Sequence, residues 1–312
     1  MKTAFIFPGQ GAQYPGMGKE FFESSPAARV VFEKADAVLG FKLSEICFSG
    51  PEDALNKTDV CQPALLVTSF ACLEAMKEAR PSLDLRSVCG ACAGLSLGEY
   101  TALAFAGAVS FEDAVRLTRK RGECMQYACD LKPSGMSTAL GLSREKVEQA
   151  VAESASAGVI GLANFNSPEQ IAVSGDLEAL RIFAEKAKAL GAKRVIPLKV
   201  AGAFHSKLML PAVERYRIEL SKVEFRKPVV PVVSNVTADY ADDPDKIREY
   251  LAAQLMNPVL WVDSIRRLGA DGFVRFAEFG SGKVLTGLLK KILPEAQGVN
   301  VEKPSDIAVS GL

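Results

Sequence analysis

The run Val88-Cys89-Gly90-Ala91-Cys92-Ala93-Gly94-Leu95-Ser96-Leu97-Gly98-Glu99-Tyr100-Thr101-Ala102 reads as a strand, a tight corner and a helix. Small and β-prone residues from Val88 to Ala93 suit an interior strand, Gly94 to Gly98 make the corner, and helix formers follow at once. Gly-x-Ser-x-Gly in that setting is a nucleophile elbow: a strained serine lifts its hydroxyl clear of the sheet edge, and the flanking glycines let strand and helix pass closely. A helix beginning at the serine would also aim unpaired N–H groups and its positive dipole end at an oxyanion formed there. The bland alternative is a serine in an ordinary turn, and five residues alone do not separate the two.

A serine hydroxyl needs a base at neutral pH, and imidazole is the usual one. Histidine occurs once in the 312 residues, at His205. It falls in Val200-Ala201-Gly202-Ala203-Phe204-His205-Ser206, a strand end and turn 109 residues beyond Ser96. In α/β-hydrolases the histidine comes late, after Ser and Asp. Here a large part of the chain still follows it, so a common esterase is a poorer match.

Composition bounds the rest. With 48% hydrophobic residues the chain can bury a large core. Lys plus Arg and Asp plus Glu each total 37, which favours neither nucleic acid nor an anionic membrane as partner. Seven cysteines, all between Cys47 and Cys129, are no disulfide framework and fit a reducing compartment. The apolar run in MKTAFIFPGQG is too short for a signal peptide, and no stretch reaches membrane-spanning length. A cytoplasmic protein is expected.

Along the chain, Ala4 to Phe7 is a buried-type strand followed by Pro8-Gly9-Gln10-Gly11, a loop at the sheet edge where ligands bind in open α/β folds. A dinucleotide loop fails because Tyr14 stands where the third glycine belongs; the glycine-flanked side-chain amide of Gln10 has the chemistry to line an oxyanion hole. Phe21 to Leu39 reads as one amphipathic helix and Thr58 to Ala79 as a mostly apolar one. Cys89 and Cys92, with no second pair or nearby histidine, read as small core residues rather than a zinc or redox site. Val229 to Ser234 and Val274 to Glu278 are further strands, and Pro244 to Gln254 a helix. Gly280-Ser281-Gly282-Lys283 is no phosphate loop, since Ala277 replaces the required first glycine. The polar tail from Val299 to Leu312 is expected to dock loosely or fray.

Phe111 to Gln126 is helical, with Ala114, Leu117, Thr118, Cys124 and Met125 on one face and Arg116, Arg119, Lys120 and Glu123 on the other. Arg121 falls amid the apolar face. An inward guanidinium needs an anion: either a core Asp or Glu, or a carboxylate that arrives with the substrate and takes a bidentate fork.

Residues 131–199 carry the order β-α-β-β-α-β, with strands at Ser137–Leu142, Val159–Ala163, Gln170–Ser174 and Lys193–Leu198. That is the ferredoxin-like order, enough for an inserted subdomain. Asn164 to Pro168 reads as the link between its halves, placed to line a cleft. The fold class expected is α/β, with a mostly parallel body from 1–130 and 200–312.

Together these pieces resemble one family, the malonyl-CoA:acyl carrier protein transacylases and the acyltransferase domains of polyketide synthases. The resemblance rests on Phe7 to Gly11, Gly94 to Tyr100, Arg121-Gly122 with Met125, Asn164 to Pro168, Gly202 to Ser206, Asn257 to Trp261 and Glu278 to Leu285, in that order. It implies an α/β-hydrolase-like body holding the insertion, with Ser96 as nucleophile, His205 as base and Arg121 as clamp for the malonyl carboxylate. It also implies an oxyanion hole at Gln10 and the Leu97 N–H, an acyl pocket including Phe204, Met125 and Asn166, and a main-chain carbonyl at Gln254 orienting the histidine in place of an acid. One departure stands out: the family's usual histidine before the nucleophile is Leu95 here, which leaves the reaction type intact and bears on acyl selectivity. Phe204 resembles the malonyl-selecting pattern, where a bulky ring restricts an α-methyl group.

The activity so implied is ping-pong transfer of malonyl from its coenzyme A thioester to the phosphopantetheine thiol of an acyl carrier protein for fatty-acid synthesis. No metal or cofactor is implied, and a monomer is expected. Lys193, Arg194, Lys199 and Lys207 are candidates for docking an acidic carrier protein, or else a solvated face. A serine thioesterase or esterase, and a non-catalytic module that holds acyl-CoA or carrier protein, are the alternatives.

Overall fold

Nine strands form two sheets in the computed structural model, which describes all 312 residues: β1 (Thr3–Phe7), β2 (Cys89–Gly94), β3 (Ser134–Leu140), β4 (Ile160–Ser167), β5 (Gln170–Asp176), β6 (Arg194–Pro197), β7 (Val232–Val233), β8 (Arg275–Phe279) and β9 (Gln297–Val301). The larger sheet has the order β7-β2-β1-β8-β9 and is parallel throughout. Parallel strands require crossovers and covered faces. β1 is accordingly buried along its whole length, and its alternation sends Phe5 and Phe7 to one core and Ala4 and Ile6 to the other.

The smaller sheet, β4-β5-β3-β6, is antiparallel throughout and carries helices Arg144–Ser154 and Leu177–Ala189. This is the β-α-β-β-α-β unit read from the sequence. It is tied to the body beside the cleft: Phe165 N–H donates to the Val259 carbonyl at 3.0 Å and Val259 N–H to the Ala163 carbonyl at 2.8 Å. Residues Asn164 to Ser167 therefore end a strand rather than form a free link, and only the turn after them connects β4 to β5.

Three other expectations change. The helix read across Phe21 to Leu39 is two, Lys19–Ser24 and Pro26–Leu39, because Pro26 cannot donate within a helix interior and Ser25 caps the second one through Ala28 N–H at 3.1 Å. The strand at Val229 to Ser234 shrinks to Val232–Val233, where Pro228 and Pro231 remove ladder donors. The tail does not fray: β9 pairs with β8, Pro304–Val309 is a helix, and Val301 and Ile307 are buried. Parallel pairing draws on main-chain groups, which polar residues supply as well as apolar ones. No helix is long and apolar enough to cross a membrane.

Candidate active site

Three chain segments converge at the carboxyl end of β2. A Cβ on Gly94 would lie 1.9 Å from the Gly98 carbonyl carbon, and one on Gly98 would lie 2.1 Å from the Phe7 oxygen. Only glycine permits β2, the next helix and the end of β1 to approach so closely. Between them Ser96 is held at φ 52°, in the left-handed region that L-residues avoid. The helix starts at Gly98 rather than at the serine; Gly98 and Glu99 N–H turn back to the Leu95 and Ser96 carbonyls. The N–H groups of Gln10 and Leu97 are spent on no backbone carbonyl.

Ser96 Oγ lies 2.8 Å from His205 Nε2, and His205 Nδ1 lies 2.7 Å from the Gln254 carbonyl oxygen. A carbonyl only accepts, so Nδ1 carries the ring proton and Nε2 offers its lone pair to the serine O–H. His205 is 4% exposed. Burial, reinforced by the Arg121 charge and opposed by the Gln254 carbonyl, pushes its pKa down to about 4, so the ring is neutral at pH 7.

Arg121 lies on the inward face of helix Phe111–Leu131 and is 1% exposed. The helix comes close enough because Gly122 faces the chain at Asp59, where a Cβ would sit 2.4 Å from the Asp59 Cα. The guanidinium donates to Gln62 Oε1 at 2.8 Å, Gln254 Oε1 at 2.7 Å and Ser96 Oγ at 3.0 Å. All three partners are neutral, and the buried Nε has no partner. The cation thus stands beside the serine hydroxyl with donors to spare and no acid bonded to it.

A cavity of ≈ 130 Å³ opens onto these groups, and Gln10, Leu95, Met125, Asn166 and Phe204 are among its walls. A roomier groove of ≈ 550 Å³ beside the C-terminal helix contains no histidine. No three His, Cys, Asp or Glu side chains gather where they could share a metal ion. The expected site residues therefore gather in one place: Ser96, His205, Arg121 and Gln254 are joined by hydrogen bonds, Gln10, Met125, Asn166 and Phe204 ring the cavity, and Leu97, which follows Ser96, is buried and not part of its wall.

Residues 4–304 match the family model described as acyl transferase domain. The chain belongs to the acyl transferase family. It is 44% identical over 310 residues to the malonyl CoA-acyl carrier protein transacylase of Bacillus subtilis, an alignment covering 99% of this chain and 96% of that one. The solved acyl-carrier-protein-S-malonyltransferase of Bartonella henselae superposes with TM-score 0.94 at 39% identity, covering 99% and 98% of the two chains. The malonyl-transacylase solved in complex with a type II PKS acyl carrier protein gives TM-score 0.94 at 36% identity, covering 99% of each chain.

Four groups of this acyl transferase escape a reading by motif. Gln62 is buried in the apolar Thr58–Ala79 helix, and a lone amide amid Cys61, Pro63, Ala64 and Leu65 is the signal that marks it. Asn235 pins the elbow from both sides, its Oδ1 accepting from Ser96 N–H at 2.6 Å and its Nδ2 donating to the Gly94 carbonyl at 2.7 Å. The Gln254 side chain, beyond its carbonyl, donates to the Ser96 carbonyl at 3.0 Å. Glu99 is a buried carboxyl behind that amide.

Proposed function

We propose that this acyl transferase moves a malonyl group from malonyl-CoA to the phosphopantetheine thiol of an acyl carrier protein, supplying fatty-acid synthesis. The observation that carries this reading is Arg121, a buried fork with neutral partners next to a serine–histidine pair. A malonyl carboxylate supplies the missing anion through charge-assisted bonds, whereas an acetyl group leaves the cation unpaired.

Ser96 gives its proton to His205 Nε2 as Oγ attacks the thioester carbonyl. The oxyanion collects on the N–H groups of Gln10 and Leu97. When the C–S bond breaks, the imidazolium returns the proton to the CoA sulfur and leaves malonyl esterified to Ser96. In the second half the carrier's thiol attacks that ester, with His205 taking and returning the proton in turn. The Gln254 carbonyl keeps Nε2 facing the serine throughout, and Phe204 on the cavity wall favours malonyl over methylmalonyl.

Purified protein with labelled malonyl-CoA is expected to gain a malonyl mass on Ser96 that disappears in Ser96→Ala, and to pass the label to holo carrier protein. Label released mainly to water would make the protein a thioesterase, and binding with no adduct would make it a holding module.

A further inference from the structure

Glu99 is a buried carboxyl to which the steps above give no task. It sits in the first turn of the helix after the nucleophile and is 3% exposed. Its Oε2 accepts from Gln254 Nε2 at 2.5 Å and from Asn235 N–H at 3.3 Å. The same Gln254 amide offers its oxygen to Arg121 Nη2 at 2.7 Å. Carboxyl and guanidinium therefore grip opposite ends of one amide, and Arg121 has a counter-charge at one remove.

The groups facing Glu99 come from several elements. Arg121 on its own helix is the charged one, while Gln254, Asn235 and Ser234 are neutral. Behind Arg121 stand neutral His205 and the phenols of Tyr100 and Tyr216. One cation and one carboxyl share a water-poor cluster. A substrate carboxylate on Arg121 brings a second anion, and two carboxylates facing a single guanidinium at low dielectric cannot both stay ionised cheaply. The substrate's group bonds the guanidinium directly, whereas Glu99 feels it through the amide.

We infer that Glu99 balances the charge of this site, taking a proton from solvent when the substrate carboxylate pairs with Arg121 and releasing it when that carboxylate leaves. The inference rests on the malonyl reading of Arg121. Glu99 is poised for the exchange: burial raises its pKa to about 7, while the bonds from Gln254 and Asn235 and the Arg121 charge keep it from rising further. Neutralising Arg121 removes one of those restraints.

The test uses Ser96→Ala protein, which binds acyl-CoA without forming the ester. At about pH 8, adding malonyl-CoA should produce an infrared C=O band of a protonated carboxyl that shifts in D2O, is missing with acetyl-CoA, and is missing when Glu99→Gln is added. Malonyl-CoA affinity of the Ser96→Ala protein should also weaken above pH 7 by up to about tenfold per unit, while that of acetyl-CoA, with the same nucleotide and pantetheine, stays level. This second measurement decides the matter if the double variant does not fold. Absence of the band, its survival in the Glu99→Gln background, or parallel pH dependence of the two thioesters overturns the inference. If malonyl-CoA binds no tighter than acetyl-CoA, the clamp falls and Glu99's task with it; tighter malonyl binding without proton uptake removes the Glu99 task alone.

Discussion

Ser96 and His205, whose side chains meet at 2.8 Å, are both held in left-handed backbone, at φ 52° and 57°. Among non-glycine residues only Ala238 shares that conformation. The strain is imposed from outside the two residues. Asn235 fixes the N–H of Ser96, and the His205 N–H donates to the Leu255 carbonyl at 3.0 Å. Left-handed backbone costs an L-residue roughly 1–2 kcal/mol, a cost glycine escapes. Ser96→Gly should therefore be more stable than Ser96→Ala by about 1 kcal/mol in urea unfolding, the reverse of the usual order. An alanine variant as stable as the glycine one would mean the elbow stores no strain.

On the proposed reading, Arg121 separates substrates by charge. Removing one side of a buried, hydrogen-bonded charge pair costs about 2–5 kcal/mol, so Arg121→Ala should lower kcat/KM for malonyl-CoA by at least about thirtyfold. Acetyl transfer, which never forms the pair, should change far less. Steady-state assays with both thioesters and one carrier protein check this, and equal losses would remove the clamp.

Much of this was legible because the chemistry sits in residues with no substitute. One histidine, one Gly-x-Ser-x-Gly at a strand end and one arginine on an apolar helix face left few ways to assemble a site. The supporting amides were hidden because Gln62, Asn235 and Gln254 act through distant partners: the Gln254–Ser96 bond spans 158 positions. Helical periodicity reports which face a residue occupies, not what it meets there. The tail was misread for a related reason, since edge-strand pairing leaves no hydrophobic signature when polar side chains line it.

Proton linkage has two signs in this site. The pKa of His205 is about 4 against an ordinary 6.5, so between those values the unfolded chain binds a proton that the folded one refuses. Its stabilising contribution is complete above 6.5 and is lost as pH falls toward 4. Glu99, near 7 against an ordinary 4.5, works the other way: its contribution is complete below 4.5 and declines as pH rises to 7. The stability of wild type relative to Glu99→Gln should accordingly fall as pH climbs through that window in denaturant titrations. In the acylation half-reaction, the acid limb of kcat/KM should lie near pH 4, because it reports the free enzyme. The acid limb of kcat should lie higher, because a bound malonyl carboxylate offsets the Arg121 charge that depresses the imidazole. Coincident limbs would show that Arg121 does not act on His205.

Two cations fasten the C-terminal helix, and Arg275 is one of them, donating through Nη1 to the Gly311 carbonyl at 2.9 Å and through Nη2 to the Ser310 carbonyl. Arg80, at the end of the Thr58–Ala79 helix, donates through Nη2 to the Ile307 carbonyl at 2.7 Å and through Nη1 to the Leu312 carbonyl. Carbonyls at a helix C-terminus lack partners within the helix and carry the negative end of its dipole, so a guanidinium both completes their hydrogen bonds and meets a favourable field. Hydrogen bonds to a charged group contribute about 1.5–3 kcal/mol. Arg80→Ala should therefore loosen the Pro304–Val309 helix and raise amide exchange there, while β8, held by β1 on its other side, keeps its protection. Replacement by Lys restores the charge but not the fork, and should recover only part of the loss. Unchanged exchange across residues 304–309 in Arg80→Ala would mean that Arg275 and the burial of Ile307 hold the tail without it.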